Sequence, residues 1–429
     1  MAHGSSFQCC IAGGGPAGLM LGYLLARAGV RVAVLEKHAD FLRDFRGDTV
    51  HPSTLEVMAE LGLLDRFLTL PHQRVERLGG VVGDTPVTIA DFRSLPVRAP
   101  FIALMPQWDF LNFLAEEGRR YPGFELFMRT EAVDLIEEGA RVTGVVARGP
   151  DGPEEIRADL VVAADGRHSV LRTKAQLPIE ELGAPIDALW FRIPAEPGDT
   201  LDTVGRVGAG SILVMLYRGD YWQCAYVIPK GSLDKLKAAG LDAFRARVAA
   251  AAALAPARMA AIGSWGDVKL LTVRVDRLLQ WFRPGLLCIG DAAHAMSPIG
   301  GVGINLAVQD AVAAANRLAG PLRAGGVTLE DLRAVQKRRM FPTRVTQAIQ
   351  VVAQNAIVGP VLERREPPRP PFVLRLMQRY PRLQRLPARL VGLGVRREHV
   401  ADFIRAAAPP ASVGAVASEN AGDRKTSLE

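Results

Sequence analysis

Three short segments carry the residue types that hold a dinucleotide. They are Gly13-Gly14-Gly15-Pro16-Ala17-Gly18 near the N-terminus, Asp165-Gly166-Arg167 at mid-chain, and Gly290-Asp291 followed by Pro298, Gly300, Gly301 and Gly303. Each stands directly after an apolar run with the composition of a buried parallel strand: residues 8–12, 157–164 and 285–289. In the first segment Gly13 permits a tight turn, Gly15 lets a pyrophosphate approach the backbone, and Gly18 lets the next helix pack closely on the strand. Residues 19–29 read as that helix, whose N-terminal amides and dipole favour phosphate charge. The next apolar run, residues 30–35, ends in Glu36, 18 positions past Gly18 and close to the ~20 at which an acid accepts from a ribose hydroxyl. A carboxylate there repels a 2′-phosphate, so the site suits FAD or NAD and not NADP.

Short glycine patterns are common, and the order of the three carries the weight. The middle segment runs through Ser169 and Arg172 into a helix. The third delivers Asp291 at the carboxyl end of a strand, where open α/β sheets bind their ligands. The glycines after Pro298 let backbone approach a ring, and the amides opening the helix from Asn305 to Ala319 suit the ring's carbonyls. In sequence, the three describe one FAD threaded through one fold.

The elements that must position these segments fit a large α/β protein. A chain of 429 residues with 49% apolar content implies two intimately packed domains. No run of ~18 uninterrupted apolar residues occurs, and residues 1–7 lack a charged n-region and an apolar h-region, so a cytoplasmic protein without signal peptide is expected. Cys9, Cys10, Cys224 and Cys288 match no metal-ligand spacing and read as small buried hydrophobes. The net charge of +7 gathers late, in arginines such as Arg364, Arg369, Arg379, Arg389 and Arg397. No nucleic-acid module accompanies them, so a solvated face is expected, with anionic substrates or a membrane surface as lesser readings.

Between Asp165 and Gly290 the residues change to β-rich stretches: 189–193, 211–217 and 222–228. They read as an antiparallel sheet over the ligand, with Trp190, Arg192, Met215 and Tyr226 as substrate-pocket candidates. Alternate strand residues face opposite sides, so only part of that set can reach a pocket.

From about residue 7 to residue 320 these motifs resemble, in the same order, the group A flavoprotein monooxygenases, the p-hydroxybenzoate hydroxylase-like aromatic hydroxylases. The resemblance implies an α/β fold: a Rossmann-like FAD-binding domain of the GR2 type, an inserted β-rich substrate domain and a C-terminal helical segment. It assigns Gly13, Gly15, Pro16, Ala17 and Gly18 to the ADP part of FAD and Glu36, with Lys37 beside it, to the ribose. Arg46, in Arg46-Gly47-Asp48, falls beside the flavin, and Gln107 at the ribityl–pyrophosphate region. Asp165, Gly166 and Arg167 match the motif linked to FAD and NAD(P)H; Gly290 and Asp291 match the ribityl contact; Pro298, Gly301, Gly303, Ile304 and Asn305 fall at the ring.

The activity so implied uses NADPH or NADH as cosubstrate and O₂ through a C4a-hydroperoxyflavin to hydroxylate an aromatic or polyketide-like small molecule. The flavin carries the chemistry and no catalytic side chain is assigned; His51 and His294 read as structural. No metal is expected, nor nucleic acid, and the chain is a monomer or homodimer with no membrane contact. Other flavin activities are a reductase of prenyl lipids, a halogenase and a non-catalytic flavin sensor. Against the halogenase, the segment from Trp222 to Pro229 has no second tryptophan, and Arg77-Leu78-Gly79-Gly80 has no lysine.

The expected boundaries are 1–180 for the FAD-binding domain (lending residues near 75–105 to the substrate sheet), 181–280 for the β-rich domain and 281–365 for the rest of the FAD domain. Residues 366–405 form a basic, proline-interrupted helical segment, and 406–429 a disordered tail.

Overall fold

The computed structural model describes residues 6–42, 49–199 and 203–407. Arg46 and residues 408–429 of the expected tail lie outside the described residues.

The first glycine segment joins β1 (Ser6–Ala12) to α1 (Pro16–Arg27), and the chain returns in β2 (Val32–Glu36). The FAD-domain elements that follow are α2 (Pro52–Glu60), α3 (Gln107–Arg119), β3 (Phe124–Met128) and β4 (Gly152–Ala163). The second sheet contributes β5 (Ile186–Pro194), β6 (Ser211–Tyr217) and β7 (Tyr221–Pro229), covered by α4 (Leu241–Ala252). The chain then re-enters the first sheet with β8 (Leu286–Cys288) and continues as α5 (Gly303–Arg323), α6 (Leu329–Ala353), α7 (Phe372–Arg379) and α8 (Arg385–Leu393).

The parallel part of the first sheet has the order β8-β4-β1-β2-β3. Its strands are near-continuous apolar runs because helices cover both faces. Register is the point that matters for function: Ala12 stands opposite Ala163, and Ala163 opposite Cys288. The three strands that precede the three motifs are therefore neighbours that end in one row. α1 is buried from Ala17 through Ala26 and lies close on the sheet, because a Cβ at Gly22 would fall 2.6 Å from Val34 Cγ2.

The second sheet has seven strands, and residues 77–82 and 85–91 join it through a parallel pairing with residues 204–208. One face packs on α4, where Phe244 and Val248 meet Leu189, Phe191, Met215, Cys224 and Tyr226. The opposite face carries Trp190, Val214 and Leu216 against Phe92, Leu95, Ala388 and Leu393. This corrects two of the four pocket candidates. Met215 and Tyr226 are 3% and 5% exposed within the α4-side core, because the pleat sends them away from the side that Trp190 and Arg192 share.

The C-terminal segment straps the two sheets together. Gln378 in α7 bonds both backbone groups of Thr88 on the edge of the second sheet, donating to its carbonyl at 2.8 Å and accepting from its amide at 3.1 Å. The chain then returns to the first domain, where Arg27 Nε donates to the Ile404 carbonyl (2.8 Å) and Val400 N to Glu60 Oε2 (2.7 Å). Among the described residues one helical run, Leu329–Glu363, has the length and apolar composition of a membrane span, and 24% of its most apolar stretch is buried. Its first half packs on α5 with Leu332, Val335 and Arg339 buried, so that half belongs to the domain core.

Candidate functional site

The common row of strand ends brings the three motifs into contact. Gly13 has φ +109°, and a Cβ there would lie 2.3 Å from the Ala164 carbonyl oxygen and 2.9 Å from the Asp165 nitrogen. A Cβ on Gly18 would lie 1.9 Å from the Gly13 carbonyl oxygen. Gly290, at φ +60°, packs on α1, where its Cβ would meet Ala17 Cβ at 3.0 Å. Gly15 differs from all of these, since a Cβ there would meet nothing within 4 Å. Gly13, Gly18 and Gly290 are thus demanded by the protein's own packing, and Gly15 leaves open space at the head of α1.

The helix termini make the same distinction. α1 and α5 each begin with no side-chain cap and no acid in the first turn, so their leading amides are left for another partner. α6 is closed by a reciprocal capping box between Thr328 and Asp331. Open space at Gly15 beside an uncapped α1 is the cradle a pyrophosphate needs, and the residues present fit FAD.

Around this cradle stand the other expected contacts. Glu36 ends β2, 8% exposed, and its carboxylate accepts from Gly14 N (3.2 Å) and His38 N (3.0 Å). Lys37 points outward, 3.8 Å from Glu131. Gln107 opens α3 and is half-buried. Asp165 Oδ2 accepts from Leu171 N (3.2 Å), and among the described residues Oδ1 is buried with no hydrogen-bond partner. Burial raises the Asp165 pKa against the hydrogen bonds from Ser169 and Leu171. Arg167 Nη2 donates to Asp291 Oδ2 at 3.3 Å and so ties the second motif to the third. Beneath them, buried Arg172 holds Asp276 at 3.4 Å with both terminal nitrogens and donates to the carbonyls of Arg167 (2.6 Å) and Ala292 (3.3 Å).

The glycine-rich loop after Pro298 is fixed from behind. Gly300 and Gly301 take φ +81° and +62°, and Thr49 Oγ1 donates to the Gly301 carbonyl at 2.7 Å. Gly303 and Ile304 open α5. The side chain of Asn305 accepts from His51 N (3.0 Å) and Thr54 Oγ1 (2.7 Å), which fixes the start of α2 to α5. His51 is fully buried and its Nδ1 donates to the Val391 carbonyl (2.8 Å); burial lowers its pKa to about 4.

A network that the motifs did not announce supports Gly290. Asp310, fully buried in α5, accepts from Gly290 N (3.0 Å), His294 Nε2 (2.6 Å) and Arg339 Nε (2.9 Å). Arg339 continues to the Arg396 carbonyl (3.1 Å) and Glu398 (3.3 Å). Burial opposes the Asp310 charge, and the attraction of His294 and Arg339 outweighs it, so the pKa is lowered. The available signal was a carboxylate on the apolar face of Leu306-Ala307-Val308-Gln309-Asp310-Ala311-Val312, which needs a buried partner.

On the substrate side, Trp190 is half-buried and the Arg192 guanidinium lies 4.9 Å from the Tyr221 ring centroid. All four cysteines are buried, and burial pushes the Cys10 thiol up to about 12, which removes it from thiolate chemistry. The arrangement can bind an extended dinucleotide across three turns.

Comparison with known proteins agrees. The family model described as "FAD binding domain" matches residues 6–349. A 6-methylpretetramide 4-monooxygenase of Streptomyces rimosus is 34% identical over 83% of this chain and 86% of its own length. A rifampicin monooxygenase of Streptomyces venezuelae is 29% identical over 71% of this chain and 62% of its own, so the chain spans about three-fifths of that longer relative. A solved anhydrotetracycline hydroxylase from Streptomyces rimosus superposes with a TM-score of 0.69 at 23% identity, covering 92% of this chain and 77% of that one.

Two outcomes follow from this geometry. Gly15→Ala leaves the melting temperature of the flavin-free protein unchanged and weakens FAD binding at least about tenfold, whereas Gly18→Ala lowers the melting temperature by roughly 5 °C. Equal loss of stability in both variants contradicts the division of roles. For His51, the lowered folded-state pKa means that its contribution to stability is complete above pH 6.5 and is lost as pH falls toward 4, by up to about 3 kcal/mol. Urea unfolding across that window should show a steeper acid loss in the wild type than in His51→Gln; identical slopes rule the contribution out.

Proposed function

The chain belongs to the FAD-binding family of group A flavoprotein monooxygenases, and from that membership we propose that it uses NAD(P)H and O₂ to insert one oxygen atom into an aromatic, polyketide-like small molecule. The observation that carries this reading is the meeting of three dinucleotide-binding turns at one row of strand ends.

In this reading the α1 amides and the open space at Gly15 take the pyrophosphate, Glu36 the ribose, Asp291 and Gln107 the ribityl region, and the Ile304 and Asn305 amides the ring carbonyls. Bound FAD supplies hydride acceptance from the nicotinamide and the activation of O₂. The protein's part is placement and exclusion of water. Pro298 and the glycine loop give the ring a backbone wall, and Trp190, on the sheet face away from α4, gives the substrate an apolar one. Arg167, held between Asp291 and the Thr272 carbonyl, is partly exposed and offers a cation at the rim for the passing nicotinamide dinucleotide. Because no separate nucleotide fold is present among the described residues, NAD(P)H acts as a transient visitor, and NADPH and NADH are both admissible. A cytoplasmic setting and a monomeric or homodimeric state complete the proposal.

The test is NAD(P)H oxidation by the purified protein across a panel of polycyclic phenols and aromatic polyketides. One or more of them should accelerate oxidation at least about tenfold over the unliganded rate and emerge heavier by one oxygen atom. Protein that cannot be reconstituted with FAD, or oxidation that no aromatic compound accelerates, contradicts the proposal.

A further inference from the structure

The two helices of the C-terminal strap lie on one support. α7 and α8 both pack on residues 85–91, the edge strand of the second sheet. Toward the protein α7 turns Leu374 and Met377, and α8 turns Ala388 and Gly392. Their outward sides are apolar as well. Phe372, Val373, Leu376 and Tyr380 recur at helical spacing on α7, and Leu386 and Leu390 stand one turn apart on α8. All six are exposed, Phe372, Val373 and Leu386 by 68%, 62% and 68%. The apolar surface continues onto α6, where exposed Ile349 borders the same cleft as Leu390.

Arginines flank these stripes. Arg375 and Arg379 on α7 and Arg385 and Arg389 on α8 are all exposed, and the Arg379 guanidinium lies 5.7 Å from the Tyr380 ring centroid. From Pro367 to Arg397 the chain has eight arginines and no lysine, aspartate or glutamate.

A contiguous exposed apolar surface marks an interaction site, and the charge around it selects the occupant. A second copy in twofold contact would set this face against itself, arginines opposite arginines with no acid in the segment to meet them. A nucleic acid would engage the arginines and leave Phe372, Val373 and Leu386 in water. A bilayer containing anionic lipid satisfies both parts. Apolar side chains enter the acyl boundary while the arginines stay among the headgroups.

We propose that the outward face of α7 and α8 is a docking surface for an anionic lipid bilayer, on which the protein lies without spanning it. The helical run Leu329–Glu363 does not cross, because its first half is domain core. A contact of this kind needs no long apolar run in the sequence. It stands whether or not the chain turns over an aromatic substrate.

Co-sedimentation of the full chain with vesicles tests this, comparing phosphatidylcholine alone with phosphatidylcholine containing roughly 30% phosphatidylglycerol. Binding to the anionic vesicles should be at least about tenfold tighter, and should weaken by a similar factor when salt rises from roughly 0.1 M to 1 M. Phe372→Glu and Leu386→Glu, at exposed positions on separate helices, should each weaken it at least about tenfold with the melting temperature unchanged. Leu270→Glu, an exposed position on the far edge strand of the second sheet, should leave binding intact. The proposal is overturned if the protein binds neither vesicle or both equally, or if both Phe372→Glu and Leu386→Glu bind like the wild type. It is also overturned if light scattering shows a dimer that Phe372→Glu separates, which gives the face to a second copy.

Discussion

A single buried carboxylate ties the ligand-binding edge to the rest of the molecule. Asp310 accepts the Gly290 amide at the turn where the third motif begins, and the same two oxygens hold His294 and Arg339. Through Arg339 the hold passes to Glu398 and the Arg396 carbonyl, so α5, α6 and the end of the C-terminal strap meet at one charge. Removing one partner from such a cluster leaves an uncompensated buried charge, at a typical cost of about 3–5 kcal/mol. The glycine at position 290 has its positive φ because the chain must turn there, and Asp310 fixes where the turn points. The contact of Gly290 with Ala17 then locks the third motif onto the first.

The strand register does for the sheet what Asp310 does for the helices. Ala12, Ala163 and Cys288 end in one row, and three segments separated by more than a hundred residues each leave the sheet together. Contact between the turns follows: Gly13 against Ala164, Gly290 against Ala17, Arg167 against Asp291. The open site at Gly15 and the uncapped starts of α1 and α5 are the features that packing leaves unfilled. They are where a ligand enters the account.

The parallel core and the turns were legible in the amino-acid sequence because both rest on local rules. Strand residues buried on two faces must be apolar, and a turn with positive φ or a backbone contact demands glycine. Glu36, Asp165, Asp291 and Asn305 could be picked out for the same reason, since each sits at a fixed offset from such a turn. Which face of β5, β6 and β7 lies under α4 was not legible. The alternation is visible in the sequence, but the side covered by α4 is a tertiary fact, and it turned Met215 and Tyr226 away from Trp190 and Arg192. Arg172, Asp310 and Arg339 escaped for a related reason: each is paired with a residue at least 29 positions away, and no local pattern signals such a pairing. The wrapping of the C-terminal segment, with Gln378 standing in for a strand neighbour at Thr88, is likewise set by long-range contact.

The edge built by these turns holds, we propose, a flavin that delivers one atom of dioxygen to an aromatic substrate. Isotope labelling tests it most directly. With ¹⁸O₂ in ordinary water, the accepted aromatic product should carry one ¹⁸O atom, with the second atom released as water. A product whose new oxygen comes from the solvent, or a substrate reduced or halogenated without gaining oxygen, would contradict it.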